Sequence, residues 1–225
     1  MSDLTVQLIK GERGEIKPDR SEALRYMGYK GHTPDSSAQT LIDECERELL
    51  SAISPLCCYA YSEVSFPREG VVDIGFGEIE SRDLSSHLKG CHGAYLFAAT
   101  IGIGADRLIA KYNRLKPAKS VIIDALGSAA AENWCDLAEL AITSGVKHCS
   151  RFSAGYGDFS LAHQVDFMRC LDMQRQLGIT LSDSLLMTPT KSVTAVIGIG
   201  AETRTCGSKC SVCKNIQCIY RDDKK

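Results

Sequence analysis

With 225 residues, 44% of them apolar and 24% charged, the chain is long enough to bury a sizeable core and has the make-up of an ordinary folded protein of one or two domains. Its 26 basic and 28 acidic residues leave a net charge of −2, which offers no basic field to nucleic acid or a membrane surface, so neither is expected as a partner. Residues 1–20 are polar and lack the apolar stretch of a secretory leader, and the longest apolar run, 94–105, is too short to span a bilayer. Eleven cysteines in such a chain argue against a disulfide framework and for a reducing, cytoplasmic location. Seven of them, Cys45, Cys57, Cys58, Cys91, Cys135, Cys149 and Cys170, are scattered and suit apolar packing positions.

In chain order, Leu4, Val6 and Leu8 alternate with Thr5 and Gln7, the period of a short strand. Residues 11–18 read as a turn and 20–31 as a short helix ended by glycine. Thr33-Pro34-Asp35 starts a helix whose Leu41, Cys45, Leu49 and Ala52 share one face. Residues 56–66 are rich in β-formers, and 71–79 have the length of a second strand, broken by Gly75 and Gly77. Ser81 caps a helix over 81–88 closed by Gly90, and the continuous apolar run 94–100 predicts a buried central strand.

Ile101-Gly102-Ile103-Gly104-Ala105-Asp106 and its near copy Ile197-Gly198-Ile199-Gly200-Ala201-Glu202 invite a dinucleotide-binding reading. The third glycine of that fingerprint falls on Arg107 and Thr203, so both read instead as strand ends turning sharply. A helix over 106–115 is interrupted at Pro117 and followed by a longer one, 118–143, rich in small residues at 125–131. Glu132 and Asp136 lie one turn apart on it, a pair that ordinarily faces solvent. A helix over 161–177 ends at Gly178, and strands at 184–187 and 192–199 are joined across 188–190. Without the regular strand–helix rhythm of a doubly wound sheet, these elements predict an α+β fold with helices on a mostly antiparallel sheet.

Between the last two long helices lies His148-Cys149-Ser150-Arg151-Phe152-Ser153-Ala154-Gly155-Tyr156-Gly157-Asp158. It holds a guanidinium suited to a carboxylate and two glycines that let the backbone come close to a ligand. By spacing alone an ordinary structural turn is the better reading.

The run Arg-x-x-x-Gly-Tyr from Arg151 to Tyr156 resembles the S-adenosylmethionine-binding loop of the reactivation domain of cobalamin-dependent methionine synthase. Upstream, Ala125-Leu126 and Ala131-Glu132 resemble that family's preceding helix, with its ligand-facing glutamate. Downstream, 181–189 and Lys191-Ser192-Val193-Thr194 resemble the family's L-T-E-S-x-x-M-x-P-x-x-S-V-S run. The likeness is clearest over residues 90–200, and the opening 20–31 resembles free-standing relatives rather than the attached domain. It implies a twisted, mostly antiparallel sheet with flanking helices over 1–203. It also implies a reactivation subunit that binds S-adenosylmethionine and serves a partner carrying cobalamin, a methionine synthase or another corrinoid protein. A reduced flavodoxin or ferredoxin-like protein would donate the electron. By position, Arg151 would hold the donor's carboxylate, Glu132 a polar group of the ligand, the Ser153, Ala154 and Gly155 backbone the adenosyl part, and Tyr156 would line the site. Phe152, Ala154 and Gly157 stand where the family has prolines, so a less rigid loop is expected. The family's N-terminal acidic contact has no evident counterpart.

Residues 204–225 form a separable tail in which Cys206, Cys210, Cys213 and Cys218 have the spacing C-x3-C-x2-C-x4-C among Arg204, Lys209, Lys214 and Arg221. Nearby cations favour thiolates, and four thiolates accept zinc or an iron–sulfur cluster; free or disulfide-prone thiols are the alternative. The first three cysteines copy the spacing of radical S-adenosylmethionine enzymes, but too little chain follows to build their barrel. Two other functions are open: a metal or iron–sulfur redox protein that activates a corrinoid partner, and a non-catalytic docking module of the same fold.

Overall fold

The structure is a computed structural model that describes residues 4–29 and 32–200. Its elements are β1 (Gln7–Lys10), α1 (Arg20–Tyr26), α2 (Ser36–Ala52), β2 (Leu56–Glu63), β3 (Val71–Asp73), β4 (Glu78–Glu80), α3 (Arg82–His87), β5 (Gly93–Thr100), α4 (Gly104–Leu115), α5 (Pro117–Thr143), α6 (Gln164–Cys170), α7 (Met173–Leu177), β6 (Thr180–Leu181), β7 (Met187–Thr188) and β8 (Ser192–Ile199). Four of these strands form one antiparallel sheet in the order β1-β2-β5-β8, so the α+β expectation holds.

The two-residue period of the strands sorts side chains onto two faces. Cys57, Phe97, Ala99, Ala195 and Ile197 pack with α1, α2, α4 and α5. Cys58, Ala60, Leu96, Ala98 and Val196 meet Val72, Ile79, Leu84, Phe167 and Met173 on the other side. With both faces covered over most of its length, β5 is apolar from Ala94 to Ala99, which is why its sequence shows no alternation. Six of the seven scattered cysteines are buried in these two cores, and Cys170 is half-buried.

The caps follow the sequence. Asp19, Asp35 and Ser81 accept backbone N–H groups at the starts of α1, α2 and α3, and Pro117 opens α5, where its missing N–H costs nothing. The apolar stripe of α2 is centred on Ile42, Cys45 and Leu49, with Leu41 and Ala52 at its half-buried margins. On α5, the Lys119 ammonium sits between Glu44 and Glu48, each at 2.7 Å, and the Tyr112 hydroxyl donates to Glu48 at 2.6 Å, which fastens α5 to α2 and α4.

Three expectations need correction. Residues 71–79 are broken at Gly75 and Gly77 as expected, but the break reverses the chain: the two glycines take φ of +96° and +102°, the Asp73 carboxylate accepts both N–H groups, and β3 and β4 fold back as a hairpin. The 161–177 helix is split, because Asp172 is left-handed at φ +46° and separates α6 from α7. Residues 184–187 are mostly a turn through Leu185 at φ +63°, and only Met187–Thr188 pairs, with Thr180–Leu181. The Gly102 copy of the repeated hexapeptide does turn sharply out of a strand into α4. In the other copy Gly198 lies within β8 and only Gly200 turns.

Candidate functional site

Beyond α5 the chain returns along the outer edge of β8. Cys149 N–H donates to the Gly198 carbonyl at 2.8 Å, and Phe152 and Val196 exchange both backbone hydrogen bonds at 2.9 Å. This edge pairing places Arg151 against α5. Glu132, Asp136 and Glu139 recur there at helical spacing on one face, and all three meet its guanidinium. Nη1 pairs with Glu139, and Nη2 lies 2.6 Å from Asp136 and 3.4 Å from Glu132. The Arg151 side chain is 8% exposed, against 16% for Glu139, 38% for Glu132 and 68% for Asp136. Burial works against its charge, but the hydrogen bond to Asp136 and the field of Glu139 and Asp136 outweigh it, so its pKa is raised. The cluster is one cation among three carboxylates, an arrangement able to meet both charges of a zwitterion. The sequence pair Glu132 and Asp136 is therefore partnered, and Glu139, one turn further on, had been missed.

The loop after Arg151 is a tight turn. Tyr156 N–H donates to the Ser153 carbonyl, Phe159 N–H to the Tyr156 carbonyl, and Gly155 N–H to the Phe159 carbonyl at 2.7 Å. Gly155 and Gly157 have φ of +94° and +55°, and Ala154 is 7% exposed. Phe152 lies among the rings of His87, Tyr156 and Phe159, with centroids 4.9, 5.9 and 6.3 Å away. His87 reaches the Ser150 carbonyl at 2.8 Å. A carbonyl only accepts, so Nε2 carries the proton; burial lowers the His87 pKa, partly opposed by that bond. Where prolines were missing, hydrogen bonds and ring packing hold the loop. Tyr156 is 44% exposed and turns half its surface to solvent.

The far end of the loop is tied down by Asp158, for which the sequence suggested no role. Its carboxylate accepts from the Ser81 hydroxyl at 2.5 Å and from the N–H groups of Arg82 and Asp83 at 2.9 and 3.1 Å, across the start of α3. Asp83 answers by accepting Asp158 N–H at 3.1 Å, a reciprocal lock resembling a capping box built from distant residues. Burial works to raise the Asp158 pKa, but the hydrogen bonds from Ser81, Asp83 and Arg82 outweigh it and hold the carboxyl below its ordinary value. A depressed pKa stabilises the fold above the unfolded value, near pH 4, and that contribution is lost as pH falls through the lower folded value. Asp158→Asn is therefore expected to lower the unfolding temperature at pH 7 and to narrow the gap to the parent below about pH 4. Thermal scans across that range measure this, and a gap constant with pH would remove Asp158 from the lock.

Of the expected site residues, the structure brings Glu132 to Arg151 and sets Ser153, Ala154, Gly155 and Tyr156 in the adjoining turn. Cys206, Cys210, Cys213 and Cys218 lie outside the described residues. Among the described residues no cluster of histidine, cysteine and carboxylate side chains has the arrangement of a metal site, and no helix is long and apolar enough to cross a membrane.

No family model and no curated protein matches the chain. A solved structure does: the crystal structure of the MetH reactivation domain bound to AdoHcy is similar with a TM-score of 0.63 at 13% identity, over 88% of this chain and 79% of that one. The fold is thus that of the reactivation domain, and AdoHcy is a ligand of that protein.

Proposed function

We propose that this chain binds S-adenosylmethionine at the Arg151 loop and serves as a reactivation subunit for a partner that carries cobalamin, a methionine synthase or a related corrinoid protein. The observation that supports it most is the joint presence of the reactivation-domain fold and a buried arginine, ringed by carboxylates, at the start of the loop. S-adenosylmethionine supplies an activated methyl group for the partner's corrinoid after one-electron reduction by a flavodoxin or ferredoxin-like donor; this chain's task is to hold the donor in place.

The residues divide that task by charge. Glu132 is the most distant of the three carboxylates from Arg151 and less buried than Glu139. It can swing away, leaving one edge of the guanidinium to the ligand's carboxylate while its own charge meets the ligand's ammonium. Glu139 on Nη1 and Asp136 on Nη2 keep the guanidinium fixed. The Ser153, Ala154 and Gly155 turn would lie along the adenosyl part, with Tyr156 at its margin. Calorimetric titration with S-adenosylmethionine tests this directly. Saturable one-to-one binding is expected. A loss of affinity when the ligand lacks its carboxylate would place Arg151 at that end.

One observation favours a second reading. The Arg151 guanidinium is already satisfied within the chain, as expected for a docking module that keeps the fold without the ligand. No heat of binding from a folded, monodisperse protein would select it.

The cysteine tail is proposed to bind one zinc ion or one iron–sulfur cluster through Cys206, Cys210, Cys213 and Cys218. Because the described core closes without the tail, truncation after Thr203 is expected to abolish metal content and leave S-adenosylmethionine binding within a few-fold. Visible absorbance that bleaches on reduction would identify iron–sulfur and raise the redox reading; one colourless equivalent of zinc would identify a structural clip. Metal-free protein with four titratable tail thiols, prepared anaerobically with metals supplied, would end the proposal.

A further inference from the structure

On the α5 side of the sheet, cover by the helices runs out towards the end of β2 and the start of β5. Tyr61 and Tyr95 are direct cross-strand partners there, and Tyr59 sits one step along the same face. Tyr59 and Tyr95 still touch the core, while Tyr61 is 45% exposed. The Tyr61 ring lies over Gly93, where any Cβ would overlap its hydroxyl. With Leu4, Thr5 and Gln7 of the first strand region, these rings line one cavity of about 470 Å³, and the Tyr59 hydroxyl donates to Gln7 Oε1 at 2.6 Å.

The rings are not stacked. Tyr59 meets Tyr95 at 85° with centroids 5.6 Å apart, and Tyr61 meets Tyr95 at 71° and 5.8 Å. Each edge-to-face contact covers one ring face, so most faces of the trio are not covered by one another. Elsewhere the protein supplies tyrosine faces with its own cations: Arg25 over Tyr26, and Lys111 and Lys119 over Tyr112. Among the described residues no lysine or arginine lies over Tyr59, Tyr61 or Tyr95, and none lines the cavity. Among the described residues the cavity is lined by three tyrosines with Leu4, Thr5 and Gln7, and by no basic residue for an anion and no carboxylate to hold a hydrated ammonium; such a neutral, aromatic lining suits a soft, weakly hydrated cation.

We infer that the corner formed by Tyr59, Tyr61 and Tyr95 is a binding site for onium groups, methylated ammonium or sulfonium. It shares no residue with the Arg151 cluster, from which β8 parts it at Ile197, the partner of Tyr95, and it does not rest on the function proposed for that cluster. The test is titration followed by tyrosine fluorescence and NMR, with tetramethylammonium, trimethylsulfonium and choline as probes and 3,3-dimethylbutanol as the neutral isostere of choline. Choline is expected to bind at least about tenfold more tightly than its isostere. Tyr61→Phe, which keeps the ring, should stay within about twofold of the parent, and Tyr61→Leu should lose about fivefold or more. Tyr61 is half-exposed, so both variants should fold, and thermal unfolding checks that. Preference for trimethylsulfonium over tetramethylammonium would assign a sulfonium ligand, and the reverse a quaternary amine. Equal binding of choline and its isostere, an unchanged Tyr61→Leu, or no response to any onium probe at its solubility limit would overturn the inference.

Discussion

Arg151→Ala is expected to weaken S-adenosylmethionine binding about a hundredfold, by losing a charge-assisted contact of about 2–3 kcal/mol. The same substitution should also destabilise the unliganded protein. Arg151 is nearly enclosed, and without it the mostly buried Glu139 keeps only His148 Nε2, 3.6 Å away, to answer its charge, beside Asp136 and Glu132. Breaking a buried pair from one side costs about 3–5 kcal/mol; because Asp136 and Glu132 reach solvent, a loss of about 2–3 kcal/mol is expected here. Urea unfolding measures it. Adding Glu139→Gln to Arg151→Ala should recover part of the stability and none of the affinity. No recovery of stability would mean that an unpaired Glu139 charge is not what the Arg151→Ala substitution leaves behind. Unchanged affinity in a folded Arg151→Ala protein would take Arg151 out of the ligand site.

Gly157→Val should be the most damaging single change in the loop. At φ +55° a β-branched residue is strained by about 1–2 kcal/mol. An added Cβ would also overlap the Asp83 carboxylate, which holds Asp158 N–H. Strain and the broken lock together should cost about 3–4 kcal/mol. Gly155 is the control: its φ is +94°, but a Cβ there meets only Leu161 Cδ1, at 3.5 Å, an ordinary contact. Gly155→Ala should cost about 1–2 kcal/mol, the backbone term alone. Equal losses at the two glycines in chemical denaturation would mean that the Asp83 contact carries no weight. The two glycines thus serve different ends. Gly155 turns the chain, whereas Gly157 also clears room for a carboxylate of the protein itself rather than for a ligand.

The errors in reading local structure share a physical origin. Residues 71–79 carry enough β-formers for one strand, but a side-chain acceptor, Asp73, captures the N–H groups of two glycines and folds the segment into a hairpin. The 161–177 segment has helical composition throughout. Its break at Asp172 is made by a left-handed residue of a type that tolerates that conformation, and composition does not mark it. In both places a single local hydrogen-bonding or backbone choice overrides the average over a window.

The sequence by itself determined the central strand β5, the long helix α5 with its proline start, the capped starts of α2 and α3, and the position of the Arg151 loop after α5. These follow from period, capping and turn chemistry, which act over a few residues. Only the tertiary structure decided what the loop residues touch. Arg151 meets carboxylates of α5 because residues 148–152 pair with the edge of β8, a strand some 45 positions further along the chain. Asp158 finds the start of α3, 75 or more positions earlier, and three tyrosines from two strands meet in one corner through the register of β2 and β5. Partnerships of that span depend on the order of strands in the sheet, and no local pattern of residues encodes that order.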